Sequence, residues 1–169
     1  VILNQKLFFE EKIDYTNIQK VKVTNPIFDL IVKAEKKIDQ HLNEILIVLD
    51  STSIHSIDFS LKKTYEKKFI NKDDINYLIN DTEQIIKNFN KDKEILHIIK
   101  SKIFFDNKIC EKLEFDKQNV NEVIIELKFI MIDKFNFDYV KNLLLEKHIS
   151  LKNIYCASYV KSLELIERL

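Results

Sequence analysis

Glycine is missing from all 169 residues of this chain, and its absence removes whole classes of chemistry. Loops that close a backbone around a phosphate, in a P-loop or at the start of a Rossmann unit, use glycine because a Cβ blocks the approach. No such loop can be built here. Left-handed turn positions must fall to Asn or Asp, at about 1–2 kcal/mol of strain per site. Asn90, Asn107 and Asn119 are the expected bearers.

Charge of one sign is missing too. Lys plus Arg and Asp plus Glu number 27 each, so the formal net charge is zero. No long-range field draws in nucleic acid or an anionic membrane surface. The local basic run of Lys62, Lys63, Lys67 and Lys68 is interrupted by Glu66, follows Asp58, and lacks a paired aromatic platform. No nucleic-acid partner is expected. The two cysteines, Cys110 and Cys156, show neither CxxC nor Cys/His spacing, which predicts reduced thiols in a cytoplasmic protein and no metal site. No apolar run approaches the roughly 18 residues of a membrane helix, and Val1 to Glu10 is too short and mixed for a signal peptide. A soluble chain is expected. Its first residue, Val rather than Met, suggests that something precedes it.

Apolar residues make up 46% of the chain, enough for one compact domain or two small ones that bury roughly 70% of the unfolded surface. Asn25 and Pro26 form a helix start, with Asn as cap and Pro at the first helical position. Ile27, Leu30, Ile31, Ala34 and Ile38 continue it at helical spacing. Ile45 to Leu49 is apolar without alternation, the pattern of a strand covered on both faces. Beyond it Ile57, Phe59 and Leu61 alternate with Ser56, Asp58, Ser60 and Lys62, as on an edge or surface strand with one wet face.

Asn71 is placed to cap a helix whose third residue is Asp74, with Ile70 and Ile75 at the staple positions. The stripe Ile75, Leu78, Ile79, Ile85, Ile86 and Phe89 completes that helix. Two long strands follow, Glu94 to Phe105 and Glu122 to Ile132, separated by a polar loop from Asp106 to Asn121. Asn136 is the expected cap of another helix, with Phe135 and Val140 as staple and Val140, Leu143 and Leu144 facing inward. A short strand, Ile154 to Ala157, and a helix from Tyr159 to Leu169 end the chain. The order predicts an α+β fold in α/β layers. A strand-helix-strand-strand subdomain over residues 51–131 is inserted between flanks, 1–50 and 132–169, that pair with each other.

Three stretches carry a resemblance. Phe69 to Ile75 followed by Lys93 to Lys100 places an acidic helix start before a strand with His97 at its centre; Ile45 to Ser51 is followed by Ile54; and Asp138 to Ile154 leads through Ala157 and Ser158 to Leu165. In order and spacing they resemble the bacterial cell-division protein family FtsA, from about Pro26 to the end of the chain. That resemblance implies an actin-like (ribonuclease H-like) lobe, here partial, with the small subdomain inserted in it. The FtsA family binds ATP with magnesium and polymerises. It tethers FtsZ to the inner face of the cell membrane, and contacts other division proteins through the small subdomain. The departures are as informative. The family's glycine-rich nucleotide loops have no counterpart, its turn glycines are replaced at Ser51 to Ser53 and at Asp116 to Asn119, and Lys100 stands where the family has Pro. The chain is therefore expected to lack the cofactor, to be no enzyme, and to work by protein contact. The actin-like protein of type IV pilus assembly is the neighbouring alternative.

Candidate site residues divide by pattern. His97, on a strand face expected to hold Ile95, Ile99 and Ile103, reads as a core histidine. Asp73 and Asp74 sit in a first helical turn, where carboxylates complement the dipole. Cys156 reads as a buried thiol. Asp50, at the end of a strand, occupies a position typical of catalytic acids in α/β proteins. A small α/β enzyme using Asp50 and His97 is the alternative reading. The interface expected from strand patterning comprises Lys100, Lys102 and Phe104 on one strand face, and Phe59 and Leu61 on an edge strand.

Overall fold

The computed structural model describes residues 2–3, 6–7, 24–50, 52–110 and 119–167. The chain divides into two compact units, Ile54–Lys134 and the flanks to either side of it. Ser51 and the stretch from Asp116 to Gln118, where family glycines are replaced, lie outside the described residues.

The Ile54–Lys134 unit is built on an antiparallel sheet. Its strands are β4 (Ile54–Phe69), β5 (Lys93–Phe105), β6 (Lys108–Ile109) and β7 (Asn119–Asp133), in the order β4-β7-β5-β6. Helix α2 (Lys72–Phe89) connects β4 to β5. It starts where local chemistry places it. The Asn71 side chain accepts from the Asp74 amide at 2.9 Å, and the Asp74 carboxylate accepts from the Asn71 amide at 3.0 Å. This capping box satisfies two of the amides that a helix start leaves without partners. Ile70 and Ile75, at the staple positions, are both buried. The helix lays Ile75, Leu78, Ile79 and Ile86 into a core with Val123, Ile125, Leu127, Phe129 and Met131 of β7. The stripe departs from its expected form at two places. Phe89 is 84% exposed, and Thr82 lies buried in the stripe, donating its hydroxyl to the Leu78 carbonyl at 2.7 Å. Phe89 is the last residue of the helix, which ends at the Asn90 cap.

The flanking unit holds a parallel pair, β3 (Glu44–Leu49) with β8 (Ser150–Cys156). Helices α1 (Thr24–Ile38), α3 (Lys134–Leu145) and α4 (Ala157–Glu167) accompany it, and short antiparallel strands β1 (Ile2–Leu3) and β2 (Lys6–Leu7) precede it. Its core joins Ile31 of α1 to Leu143, Leu144 and Ile149, with Ile45, Ile47 and Leu151 packed against them. β3 corrects the expectation of cover on both faces. Leu46 and Val48 are 49% and 52% exposed, so only alternate residues are packed. Two further starts shift. α1 begins at Thr24, one residue before the expected cap. α3 begins at Lys134, because the Lys134 amide donates to the Asp92 carbonyl at 2.8 Å and the chain runs from β7 straight into the helix. Asn136 is thus inside α3, and Phe135 is exposed rather than stapled to the buried Val140.

Left-handed positions show how a glycine-free chain turns. Asn107 adopts one as expected, but Asn90 and Asn119 do not; the others among the described residues are Asp39, Lys67, Asp106 and His148. Asp106 and Asn107, with φ of 46° and 65°, form the two-residue hairpin from β5 to β6 that ordinarily takes Asn-Gly. The polar stretch expected as a loop therefore contains this hairpin and β6. Asp106 also anchors β7, its carboxylate accepting from the amides of Asn121 and Glu122 at 2.9 Å each. His148, with φ 57°, occupies the glycine position of a Schellman motif closing α3. The Ile149 amide donates to the Leu144 carbonyl at 3.1 Å and the His148 amide to Leu145 at 3.0 Å, while Leu144 and Ile149 share the core.

These positions predict stabilisation by glycine. His148→Gly should release part of the roughly 1–2 kcal/mol of left-handed strain, less the unfolded-state entropy that glycine adds. A net gain of about 0.5–1 kcal/mol in urea unfolding is expected, with His148→Ala giving none. Phe129→Ala, which empties a fully buried site on β7, should cost about 3–5 kcal/mol in the same measurement.

Candidate protein interface

Two bulges on β5 decide which of its side chains share a face. Pairing with β7 runs Ile95 to Met131, then His97 to Ile130, with Leu96 as the extra residue. It continues through Ile98 to Phe129, Ile99 to Lys128 and Lys100 to Leu127, and then skips Ser101 to set Lys102 opposite Glu126 and Phe104 opposite Ile124. Directly paired residues project to the same side of a sheet. Ile95, Ile98, Ile103 and Phe105 therefore pack on the α2 side, as does the Phe129 row of β7. His97 and Ile99 lie on the opposite face with Lys102 and Phe104. Two expectations are corrected by this register. His97 does not share a face with Ile95 and Ile103, and Lys100 is parted from Lys102 and Phe104, because each bulge reverses the alternation beyond it.

The face opposite α2 joins Lys102 and Phe104 to Ile124, Glu126 and Lys128 of β7, and to Ser56, Asp58, Ser60 and Lys62 of β4. Phe104, Ile124, Glu126 and Lys128 are half-buried there, and Lys102 is exposed. Charge is paired along the face: Lys128 Nζ lies 3.3 Å from Asp58, and Lys62 Nζ 2.5 Å from Glu122. Phe59 and Leu61 sit elsewhere. With Ile57 they are half-buried against the core on the α2 side, so what β4 exposes around them is its polar row and its backbone edge. A row of Ser, Asp, Ser and Lys alternating with core residues was the available sequence signal for that wet face.

His97 is 9% exposed, opposite the buried Ile130, and burial pushes its imidazole below the usual histidine range. Asp50 follows β3 and is exposed. Asp74 is occupied by capping and by Lys68, whose ammonium, followed by the Asn71 amide, holds the carboxyl below its ordinary range. Cys156 is buried, its sulfur 2.9 Å from the Ser158 hydroxyl, and Cys110 is half-buried. Among the described residues no group of three or more His, Cys, Asp or Glu side chains is placed to hold a metal ion. No helix among them is long and apolar enough to cross a membrane.

Comparison of the chain with protein-family models and with curated proteins gives no match.

His97 predicts a pH response. Its folded pKa is below the ordinary 6.5, so on acidification the unfolded chain takes up a proton before the folded one. Stability present above pH 6.5 should decline as pH falls from 6.5 through the folded value. Urea midpoints at pH 7.5 and 5.5 should therefore differ more for the native chain than for His97→Gln, in which this titration is absent.

Proposed function

We propose that the chain is a non-enzymatic module of an FtsA-like cell-division protein, working by protein contact. The observation that carries this reading is topological. A strand-helix-strand-strand unit with one helix on one face interrupts a helix-strand-helix-strand flank whose two main strands, β3 and β8, pair in parallel. That is the arrangement expected of a small subdomain grown from an actin-like lobe, and it accompanies the three stretches of sequence resemblance. The absence of glycine supports contact over nucleotide chemistry, because every backbone position carries a Cβ.

The contact surface in this reading is the sheet face opposite α2, centred on Lys102 and Phe104. An exposed cation beside a half-buried aromatic suits a partner that brings an acidic and an apolar group together. FtsZ and other division proteins are the partners expected for the full-length family, at the cytoplasmic side of the cell membrane. The same module in a pilus-assembly relative would instead take pilus components.

Immobilised chain should capture division proteins, FtsZ among them, from a lysate in preference to pilus-assembly proteins. Lys102→Glu with Phe104→Asp should reduce that capture at least tenfold while leaving the circular dichroism spectrum unchanged. Titration calorimetry with magnesium ATP should show no binding. Stoichiometric micromolar affinity for the nucleotide, or capture of pilus components alone, would overturn the reading.

A further inference from the structure

Strand β4 is the open edge of its sheet: among the described residues it pairs with β7 and with no other strand. From Ile54 to Thr64 the register with β7 is unbroken, so an eleven-residue row of alternate backbone N–H and C=O groups faces away from the sheet. Edges of this length are ordinarily blunted by a bulge, a proline or an inward charge. The bulge on β4 comes only after Thr64, at the left-handed Lys67, and no proline occurs in the strand. Ser56, Asp58, Ser60, Lys62 and Thr64 are all exposed.

The sequence of this edge is complementary to itself. With a two-fold axis at Ser60, an antiparallel second copy sets Ser56 opposite Thr64, Asp58 opposite Lys62, and Phe59 opposite Leu61. The two charges that meet are already oriented within the sheet, Asp58 by Lys128 and Lys62 by Glu122. Across the junction the row then reads Lys128, Asp58, the second copy's Lys62 and the second copy's Glu122, alternating in sign throughout. An axis at Lys62 would instead oppose Lys62 to itself and Asp58 to Glu66, and like charges directly opposite are destabilising. An axis at Ser60 also keeps both α2 helices on one side and extends the apolar row of Ile57, Phe59 and Leu61 across the junction.

We propose that this chain forms a two-fold dimer by antiparallel pairing of β4 with β4 about Ser60, joining two four-stranded sheets into one of eight. The pairing satisfies edge backbone groups with backbone partners and reads out its register by side-chain charge. Its backbone contacts lie along the edge of β4, whereas the partner proposed above is centred on Lys102 and Phe104 of β5; Asp58 and Lys62 border the face that both would use.

Sedimentation equilibrium on the full chain should show a mass that rises with concentration from monomer to dimer. D58K and K62D should each weaken the dimer at least tenfold, and the double swap D58K/K62D should recover most of the loss. Cross-linking tests the register directly. In a background with Cys110 and Cys156 changed to Ser, Ser60→Cys should form a disulfide between copies under mild oxidation. Directly opposed strand residues have Cα atoms about 4.5–5.5 Å apart, within the range of that bond. Thr64→Cys should not cross-link, because two such positions lie about 26 Å apart when the axis is at Ser60, at roughly 3.3 Å per residue. A monomer at every concentration, or Thr64→Cys cross-linking as readily as Ser60→Cys, would overturn the proposal and leave the division-module reading standing.

Discussion

Strand β7 has a neighbour on each side, β4 along one edge and β5 along the other, so backbone partners reach it from both directions. Buried polar backbone has to be paired, and a strand in this position must also bury one face of side chains. Val123, Ile125, Leu127, Phe129 and Met131 meet that demand, each nearly sealed from solvent. Helix α2 then has one place to put its own apolar stripe. The capping box at Asn71 and Asp74 sets where the helix begins, and the β7 row sets which of its residues go inside. In the same sheet β4, among the described residues, has β7 as its one strand neighbour.

The flanking unit solves a different problem with fewer strands. A parallel pair is ordinarily covered on both faces, yet Leu46 and Val48 remain about half exposed while Ile45 and Ile47 pack on the core. Two of its helices are closed by left-handed residues that carry a Cβ. Asp39 and His148 stand where glycine is usual, and His148 is held there by the paired bonds from Ile149 and His148 and by burial of Leu144 with Ile149. Tertiary packing in this protein therefore carries strain that a single glycine would relieve.

The two faces of the sheet are separated by register more than by composition. Phe59 and Phe104 are both half-buried aromatics on strands of one sheet, yet the first packs toward α2 and the second faces away from it. Two extra residues on β5, Leu96 and Ser101, account for the difference between its side chains and a plain alternation. Each shifts the strand by one residue against β7. The consequences reach His97, which moves to the face away from α2, and Lys100, which leaves the company of Lys102 and Phe104.

Several local signals, whose parts all fall within a few residues, were legible in the sequence. Asn71, Asp74, Ile70 and Ile75 specify the start of α2, and the alternation from Ser56 to Lys62 specifies a strand with one wet face, because capping bonds and strand pleats depend on near neighbours alone. The lack of glycine likewise ruled out phosphate loops without reference to any fold. What remained illegible depends on partners distant in the chain. The bulges of β5 exist only against β7, α3 starts early because Lys134 meets the Asp92 carbonyl, and one-sided cover of β3 follows from what packs on the β3–β8 pair. Sequence by itself determined the longer helices and strands and their order. Only the tertiary structure decided which face each strand residue takes, because a single unpaired residue reverses every side chain beyond it and its cost is set by the neighbouring strand.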